Sequence, residues 1–266
     1  MIGFIGLGSQ GGPMARRIVE GGFPLILWAR RAETLESFAD TSAVTAASIA
    51  ELGAACDHVG ICVVDDEGVR AVVSEMLPAM KPGSRIVIHS TVHPDTCKAL
   101  AAEAGAHGVA LLDAPVSGGG PGAAAGTLTV MVGGDAEVLE ASRPVFETFA
   151  ALIVHLGPVG AGQAAKLVNN SMMAANMALA HHALASGEAL GIDRKALADL
   201  IKASSGRSYG LEVYARLPAP AAFAHGGKLL AKDVGLLSAL LADNPDVAAM
   251  RAVAQSFLDC TLEQHA

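Results

Sequence analysis

Cysteine and aromatic residues are scarce in this chain of 266 residues, which holds 4 cysteines and 4% aromatic residues. The cysteines form no C-x-x-C pair and have no spacing typical of zinc ligands; they are Cys56, Cys62, Cys97 and Cys260. The sequence therefore predicts no metal site, and a reduced, cytoplasmic setting fits best. Met1 leads directly into an apolar strand pattern, so we expect no secretory signal peptide.

Positive charge is also in short supply. The 18 Lys and Arg residues are outnumbered by 26 Asp and Glu residues, and the formal net charge is -8. Such a chain repels nucleic acid and anionic membranes, so we expect neither as a partner. Hydrophobic residues make up 52% of the chain and charged residues 17%, which excludes a disordered chain and leaves ample material for a sizeable core.

No long hydrophobic run is free of polar residues. The most apolar stretch, from Leu167 to Leu190, contains side chains that are costly in hydrocarbon, namely Asn169, Asn170, Asn176, His181, His182 and Glu188. We therefore interpret this stretch as a long buried helix and not as a membrane span.

The first 160 residues alternate between short apolar runs and amphipathic segments such as Met14–Glu20 and Ala46–Leu52. The apolar runs predict strands at Ile2–Ile5, Leu25–Trp28, Val59–Val64, Arg85–His89, Val109–Leu112, Thr127–Val132 and Ala151–Leu156. This β-α-β alternation predicts an α/β fold with a doubly wound, mostly parallel Rossmann sheet.

Beyond Gly162 the pattern becomes entirely helical. Helices are predicted over Gln163–Gly191, Lys195–Ser204, Lys228–Ala242 and Val247–Thr261. Pro158 and the glycines at 157, 160 and 162 mark the change. We therefore predict a dinucleotide-binding domain over residues 1–160 and an all-helical domain over residues 161–266 that carries substrate and subunit contacts.

A glycine motif follows the first predicted strand. Gly6, Gly8 and Gly11 form G-x-G-x-x-G in the strand-to-helix context that dinucleotide binding requires. The first glycine permits the tight turn, the second allows backbone to approach the pyrophosphate, and the third allows helix and strand to pack closely. The start of the following helix then faces the phosphates with its partial positive charge.

The end of the second predicted strand indicates which dinucleotide binds. NAD enzymes usually place an acidic residue here for the ribose 2′-hydroxyl, whereas arginine accommodates the 2′-phosphate of NADP. No acidic residue occurs before Glu33, and Arg30 and Arg31 stand in its place. A guanidinium group suits phosphate, so we expect NADP, with NAD as the less favoured alternative.

Three clusters downstream carry groups suited to chemistry. Asp113–Gly120 runs from a strand end into a glycine-rich loop whose backbone N–H groups and Ser117 hydroxyl could hold a carboxylate. Lys166 and Asn170 are four residues apart and share one helical face. Lys232 and Asp233 interrupt an otherwise apolar helical segment.

Taken in order, these segments resemble the β-hydroxyacid dehydrogenase family, which includes 3-hydroxyisobutyrate dehydrogenase and tartronate semialdehyde reductase. The specific matches are Gly3–Gly11, Asp113–Gly134, Gly157–Asn170, Ser204–Ser208 and Lys232–Asp233. The resemblance implies transfer of a hydride between NADP(H) and a short β-hydroxy acid or its semialdehyde. It does not identify which hydroxy acid.

The resemblance also implies roles for individual residues. Lys166 matches the general acid/base lysine, Asn170 the asparagine that fixes the substrate oxygen, and Ser117, Gly118 and Gly119 the loop that binds the substrate carboxylate. The expected cofactor-binding residues are Gly6, Leu7, Gly8, Ser9, Gln10, Gly11, Arg30, Arg31, Val63, Val64, Thr91 and Lys232. A positioned acid suits this chemistry, because hydride addition to a carbonyl builds negative charge on oxygen.

Other chemistries fit the residues less well. Tyr209 and Tyr214 are the only tyrosines, and neither forms a Y-x-x-x-K pair. His181 and His182 are adjacent and point to different helix faces, so we interpret them as core or interface histidines. An imine reductase shares the architecture but typically lacks the lysine, and a non-catalytic NADPH-binding sensor is the alternative outside enzymes.

The chain departs from the family pattern in four places. Gln10 replaces a usual methionine, Val63-Val64 a common Leu-Pro, and His89 a frequent aspartate, while the chain ends at Ala266, before the usual family tail. None of these departures removes an expected catalytic group. The long apolar helix would expose much surface in a lone helical domain, so we expect a homodimer or homotetramer.

Overall fold

The computed structural model describes residues 1–262, and their contacts divide the chain into two compact units. The first unit comprises residues 1–166, and the second begins at Leu167. The domain boundary expected near residue 160 stays a prediction.

The first unit contains nine strands and six complete helices. The strands are β1 Ile2–Ile5, β2 Leu25–Trp28, β3 Val44–Thr45, β4 His58–Ile61, β5 Arg85–Ile88, β6 Ala110–Asp113, β7 Val116–Ser117, β8 Leu128–Val132 and β9 Ala150–His155. The helices are α1 Gly11–Glu20, α2 Ile49–Ala55, α3 Asp66–Met76, α4 Pro94–Ala106, α5 Gly119–Ala125 and α6 Ala136–Phe146. A seventh helix, α7 Ala161–Ala189, begins in this unit and continues into the second.

Six strands form a parallel sheet in the order β3-β2-β1-β4-β5-β6. This is the strand order of the Rossmann fold, in which ligands bind at the point where the order reverses, here between β1 and β4. The sequence prediction of a doubly wound parallel sheet followed by a helical region is therefore confirmed.

Helices cover both faces of the sheet, which is why its strands are apolar on both sides. Phe4 of β1 and Val87 of β5 join one buried cluster with α1 and α6. Ile5 and Ile88, one residue further along each strand, join a second cluster with α2, α3 and α4. The alternation follows from the two-residue period of a strand.

A smaller sheet follows the large one, in the order β7-β8-β9. β7 is antiparallel to β8, and β9 is parallel to β8. Asp113 at the end of β6 forms an isolated bridge with Gly133 just after β8. This bridge joins the two sheets beside the loop that leads into α7.

In the second unit, the described residues form helices and no strand. These are the remainder of α7, then α8 Arg194–Lys202, α9 Tyr209–Tyr214, α10 Ala224–Leu240 and α11 Pro245–Leu262. Their core combines Met177 and Leu184 of α7 with Val234 of α10 and with Phe257 and Leu258 of α11.

The structure corrects several details of the sequence prediction. The third predicted strand ends at Ile61 and not at Val64, because the backbone of Val63 turns to donate a hydrogen bond to Ser90 Oγ. β3 and β7 were not predicted, since each is only two residues long, and neither was α9.

The long apolar helix also differs from the expectation that it is buried. Along α7, Val168, Met172 and Leu179 expose 50%, 59% and 58% of their surface. Among the described residues, no helix is long and apolar enough to cross a membrane.

Candidate active site and cofactor site

The glycine loop lies at the carboxyl end of β1, at the reversal point of the sheet. Gly6 has φ +98°, and a Cβ there would collide with the backbone of Cys62 at the end of β4. Gly11 lies against the carbonyl oxygen of Gly6, so a side chain at this position has no room either. Gly8, in contrast, faces open space with nothing within 4 Å. A loop with this shape admits a pyrophosphate close to its backbone.

The loop leads directly into α1. No acidic residue occupies the first turn of α1, and no side chain caps its N-terminus. The helix dipole at this end favours an anion, and the N–H of Gly12 already donates to the carbonyl oxygen of Gly8 at 2.9 Å. The predicted residues Leu7, Ser9 and Gln10 all belong to this loop, with Ser9 exposed and Leu7 and Gln10 half-buried.

Arg30 and Arg31 follow β2 and are both exposed. Neither guanidinium forms an ion pair with a carboxylate within residues 1–262, whereas Arg16 nearby in the chain is held by Asp40 at 2.8 Å. The two side chains are thus available to a phosphate group without first breaking a salt bridge.

The ends of β4 and β5 are joined by a side-chain hydrogen bond. The backbone N–H of Val63 donates to Ser90 Oγ at 2.8 Å, and Ser90 is 3% exposed. Val64, the next residue, exposes 72% of its surface. Thr91, the threonine expected near the nicotinamide ribose, directly follows Ser90 and is half-buried.

His89, which replaces a frequent family aspartate, lies in the core and not in the cofactor site. It is 3% exposed, packs against Phe4, Phe146 and Phe149, and donates from Nδ1 to the carbonyl oxygen of Ala114 at 2.8 Å. Burial lowers the pKa of His89 to about 4. This histidine is therefore neutral at physiological pH.

The predicted carboxylate loop packs against the glycine loop. Ser117 ends β7 and is half-buried, and Gly118 and Gly119 are exposed. The glycine-rich segment predicted as a loop is shorter than expected, because Gly119 already begins α5. Gly120 then lies so close to the carbonyl oxygen of Ser9 that a side chain could not fit between them. The structure thus places the expected substrate loop beside the expected cofactor loop.

The start of α7 is bound to a buried carboxylate. Asp113 at the end of β6 is fully buried; Oδ1 accepts from Gly160 N at 2.7 Å and Oδ2 accepts from Gln163 N at 2.8 Å. A Cβ at Gly162 would press on the backbone of Met131 and Asp113. Burial raises the pKa of Asp113, and the backbone donors oppose that shift.

Gln163 binds the same helix to the loop after β5. Its Oε1 accepts from Val92 N at 3.1 Å, and its Nε2 donates to Ser90 O at 2.8 Å. The side chain is fully buried. Lys166 lies three residues further along α7 and is only 8% exposed.

In the second unit, Asn170 and Lys232 converge on one acid. Asn170 Nδ2 donates to Asp233 Oδ2 at 2.6 Å, and Lys232 Nζ lies 3.4 Å from Asp233 Oδ1. Asp233 is 2% exposed, whereas Lys232 is half-buried. Asp233 belongs to the Lys232-Asp233 motif, but the sequence pattern indicated no role for it.

The adjacent histidines on α7 both bind other side chains. His181 Nδ1 lies 2.7 Å from the hydroxyl of Tyr214, and His182 Nε2 lies 3.0 Å from Ser256 Oγ. No group of three or more His, Cys, Asp or Glu residues that could hold a metal ion occurs in the described part of the chain.

Sequence reasoning missed three residues that organise this site: Ser90, Asp113 and Gln163. Asp113 and Gln163 lie inside segments that were singled out, but nothing in their spacing shows that they meet. The only signal available was chemical, since both are polar residues within strongly apolar or glycine-rich surroundings.

Comparison with known proteins identifies the family to which this fold belongs. The family model for the NAD-binding domain of 6-phosphogluconate dehydrogenase matches residues 1–157, and the model described as NAD-binding of NADP-dependent 3-hydroxyisobutyrate dehydrogenase matches residues 160–265. An NAD-dependent L-serine dehydrogenase of Pseudomonas aeruginosa is 39% identical and aligns over 99% of this chain and 92% of its own length.

Solved structures show the same architecture. A Mycobacterium tuberculosis 3-hydroxyisobutyrate dehydrogenase with L-serine superposes with a TM-score of 0.84 at 30% identity, covering 100% of this chain and 99% of that one. A protein named Psf3, in complex with NADP+ and 2-OPP, has a TM-score of 0.86 at 28% identity over 97% of this chain and 93% of its own.

The fold and the glycine loop define a dehydrogenase that binds a nicotinamide dinucleotide. The chain belongs to the β-hydroxyacid dehydrogenase family.

Proposed function

We propose that this enzyme transfers a hydride between NADP(H) and a short β-hydroxy acid or its semialdehyde, with Lys166 as the general acid/base. The observation that carries the proposal is the placement of Lys166. This lysine is nearly buried on a helix whose first turn is hydrogen-bonded to Asp113 and to the loop on either side of Thr91.

The protein residues perform proton transfer and positioning. In the oxidative direction, Lys166 Nζ accepts the hydroxyl proton of the substrate, and in the reductive direction it returns that proton to the carbonyl oxygen. Asn170 lies one helical turn further on and donates to the same oxygen. The nicotinamide ring, when bound, supplies the hydride acceptor or donor.

The loop of Ser117, Gly118 and Gly119 suits the carboxylate of the substrate. Its backbone and hydroxyl donors offer hydrogen bonds but no fixed positive charge, which fits a small organic acid better than a phosphorylated one. L-Serine and 3-hydroxyisobutyrate, which the relatives' names contain, both carry a hydroxyl group on the β-carbon. Both therefore belong among the first substrates to test, together with tartronate semialdehyde and succinic semialdehyde.

NADP is the proposed cofactor because two exposed arginines follow β2 where an NAD enzyme usually carries an acid. The Pseudomonas aeruginosa relative is NAD-dependent, so the preference must be measured directly. The ratio of kcat/KM for NADPH to that for NADH decides between the two cofactors.

The test follows absorbance at 340 nm with each cofactor, in the oxidative direction with L-serine and 3-hydroxyisobutyrate and in the reductive direction with tartronate semialdehyde and succinic semialdehyde. Lys166→Ala is expected to abolish turnover while NADPH still binds, because it removes the proton carrier and leaves the glycine loop intact. Lys98→Ala is the matched control, since Lys98 is an exposed lysine in the same unit.

Full activity of Lys166→Ala would overturn the assigned role. Turnover of cyclic imines in place of semialdehydes would favour the imine reductase alternative. Tight NADPH binding without turnover on any substrate would favour a sensor.

The apolar stripe on α7 supports an assembly. Val168, Met172 and Leu179 follow one another at intervals of 4 and 7 residues, so they lie along one side of the helix. Each exposes at least half of its surface. Exposed apolar stripes of this kind mark protein contacts. We propose that a second copy of the chain covers the stripe in a homodimer or homotetramer, located in the cytoplasm.

A further inference from the structure

The side chain of Gln163 makes two hydrogen bonds of opposite direction. Its amide oxygen accepts from Val92 N and its amide nitrogen donates to Ser90 O, so the side chain bridges the residues on both sides of Thr91. The same residue's backbone N–H donates to Asp113 Oδ2. Gln163 is thus bound at three points within the first unit.

The neighbouring bonds extend this bridge to the strand ends that form the cofactor site. Ser90 Oγ accepts from Val63 N, which follows β4, and Ser90 O accepts from the side chain of Gln163 at the start of α7. Ser90 therefore links the end of β4 to the start of α7. All of these atoms are buried or half-buried. In such surroundings a satisfied polar network favours a single arrangement of the backbone.

We propose that Gln163 is a positioning residue that holds Lys166 in register with the cofactor-side loop Ser90–Val92. This inference rests on the proposed function, because it takes Lys166 as the group that moves the proton. Lys166 lies three residues after Gln163, about 4.5 Å further along the helix axis. Fixing the first turn of α7 to the loop therefore fixes the origin of the lysine side chain relative to Thr91.

The expected cost of losing this bridge is catalytic. A displacement of about 1 Å between reacting groups lowers a rate by about 100-fold. Gln163→Leu removes both side-chain bonds at similar volume, and we expect kcat to fall about 10-fold to 100-fold. The Kd for NADPH should change less than kcat does, because the glycine loop and α1 are not touched.

Gln163→Glu separates positioning from folding. An ionised glutamate accepts from Val92 N but has no proton to donate to Ser90 O, whereas a protonated glutamic acid makes both bonds. Burial raises the pKa of a carboxyl group, so the protonated form is accessible in mildly acidic buffer. The activity of Gln163→Glu relative to the wild type should therefore rise as pH falls, while that of Gln163→Leu stays constant.

Several titratable groups surround Gln163 and are present in the wild type and in both variants. Asp113 faces its backbone N–H from β6, and the thiol of Cys97 on α4 lies within hydrogen-bonding reach of its side chain. Lys166 follows on α7 itself. For this reason each pH point is read as a ratio of variant to wild type.

The experiment measures kcat, KM, NADPH affinity and Tm for the wild type, both Gln163 variants, Lys166→Ala and a control. Gln255→Leu is the control, since Gln255 is a half-buried glutamine on α11 whose side chain donates a hydrogen bond to Asp259 of the same helix. We expect kcat to fall in Gln163→Leu and the activity of Gln163→Glu to recover in mildly acidic buffer. The control Gln255→Leu should have the kcat of the wild type.

The outcomes separate this inference from the proposed function. An inactive Lys166→Ala with a fully active Gln163→Leu overturns the positioning role and leaves the general acid/base in place. An active Lys166→Ala overturns the proposed function itself. A lower Tm in both Gln163 variants, with kcat unchanged and no acid-dependent recovery, reduces Gln163 to a structural residue.

Discussion

Asp233 Oδ2 accepts a hydrogen bond from the side-chain amide of Asn170 at 2.6 Å, and its other oxygen lies 3.4 Å from Lys232 Nζ. The carboxylate determines which way the carboxamide of Asn170 points, because only the nitrogen end can donate to it. The second proton on that nitrogen is then free of the carboxylate and can serve a substrate oxygen.

Replacing Asp233 should therefore reduce catalysis through Asn170. We expect Asp233→Ala to lower kcat by about 10-fold or more, whereas Asp233→Asn, which can still present an oxygen to Asn170, should lose less. The check is a double-mutant cycle with Asn170→Ala, in which the two effects should be strongly non-additive.

Asp199→Ala serves as the control for the Asp233 cycle, since Asp199 is exposed on α8 in the same unit. Additive losses in the cycle would show that Asp233 and Asn170 act independently.

Cofactor preference should depend on the arginines after β2. We expect Arg30→Ala combined with Arg31→Ala to raise KM for NADP(H) by about 10-fold to 100-fold, since a charge-assisted hydrogen bond contributes about 1.5–3 kcal/mol. KM for NAD(H) should stay within about twofold, because the 2′-hydroxyl does not need these charges. Initial-rate measurements with both cofactors provide the test.

Arg251→Ala, which removes an exposed arginine from α11, controls for the general loss of positive charge. Equal effects of the double variant on both cofactors would contradict a phosphate-specific role.

Alanine substitutions at two glycines of the same motif should impair the protein for different reasons. Gly8 faces open space, so Gly8→Ala should leave Tm nearly unchanged and weaken dinucleotide binding, because its methyl group enters the volume expected for the pyrophosphate. Gly11→Ala should lower Tm, because its Cβ would meet the carbonyl oxygen of Gly6. Thermal melts and NADPH titrations on both variants distinguish the two effects. Similar losses of Tm in both would show that Gly8 is not open to a ligand.

His89 should make the fold sensitive to mild acid. Its pKa is about 4 in the folded chain, against an ordinary value of 6.5. Between these two values the unfolded chain binds the proton and the folded chain does not, so stability falls as pH drops from 6.5 to 4 and is unaffected above 6.5. A shift of this size corresponds to about 3 kcal/mol.

The measurement is the free energy of unfolding from denaturant titrations at several pH values for the wild type and His89→Asn. We expect the acid-dependent loss of unfolding free energy to be smaller in His89→Asn than in the wild type, whatever the variant's stability at neutral pH. His58, buried beside Arg85, also has a lowered pKa and contributes in both proteins. His107→Asn, at the exposed histidine that directly follows α4, should behave as the wild type. An unchanged pH dependence in His89→Asn would place the sensitivity elsewhere.

The proposed assembly should depend on the apolar stripe of α7. Met172 and Leu179 are 59% and 58% exposed, and a charged side chain at either position should oppose burial against a second copy. We expect Met172→Lys and Leu179→Lys to convert the oligomer to a monomer in light scattering, with the secondary structure unchanged. Leu200→Lys, at an equally exposed leucine on α8, is the control. A wild-type protein that is monomeric at assay concentrations would refute the assembly.

Short-range patterns were sufficient for most of the fold. The runs at β1, β2, β5, β6 and β8 were found to within about two residues, because each is apolar on both faces and bounded by turn residues. β3 and β7 were not predicted, because a strand of two residues is too short to show an alternating hydrophobic pattern. β4 was predicted too long because Val63 and Val64 continue an apolar run whose backbone has already left the sheet.

The candidate site divides in the same way. Gly6, Gly8, Gly11, Arg30 and Arg31 were proposed as site residues from local spacing, and Lys166 and Asn170 were assigned their roles by the resemblance to the family. Ser90, Asp113, Gln163 and Asp233 were not given roles, because each acts through a partner that lies far away in the chain. Gln163 and Ser90, for example, are 73 positions apart in the sequence.

By itself, then, the sequence determined the alternating strand-and-helix order, the glycine turn, the paired arginines and the spacing of Lys166 and Asn170, since all of these depend on near neighbours along the chain. Only the tertiary structure decided that Asp113 and Gln163 secure the start of α7, that Asp233 orients Asn170, and that His89 is a neutral core residue. Those outcomes depend on which buried donors find acceptors once the chain has folded, and distant residues in a linear sequence do not reveal that pairing.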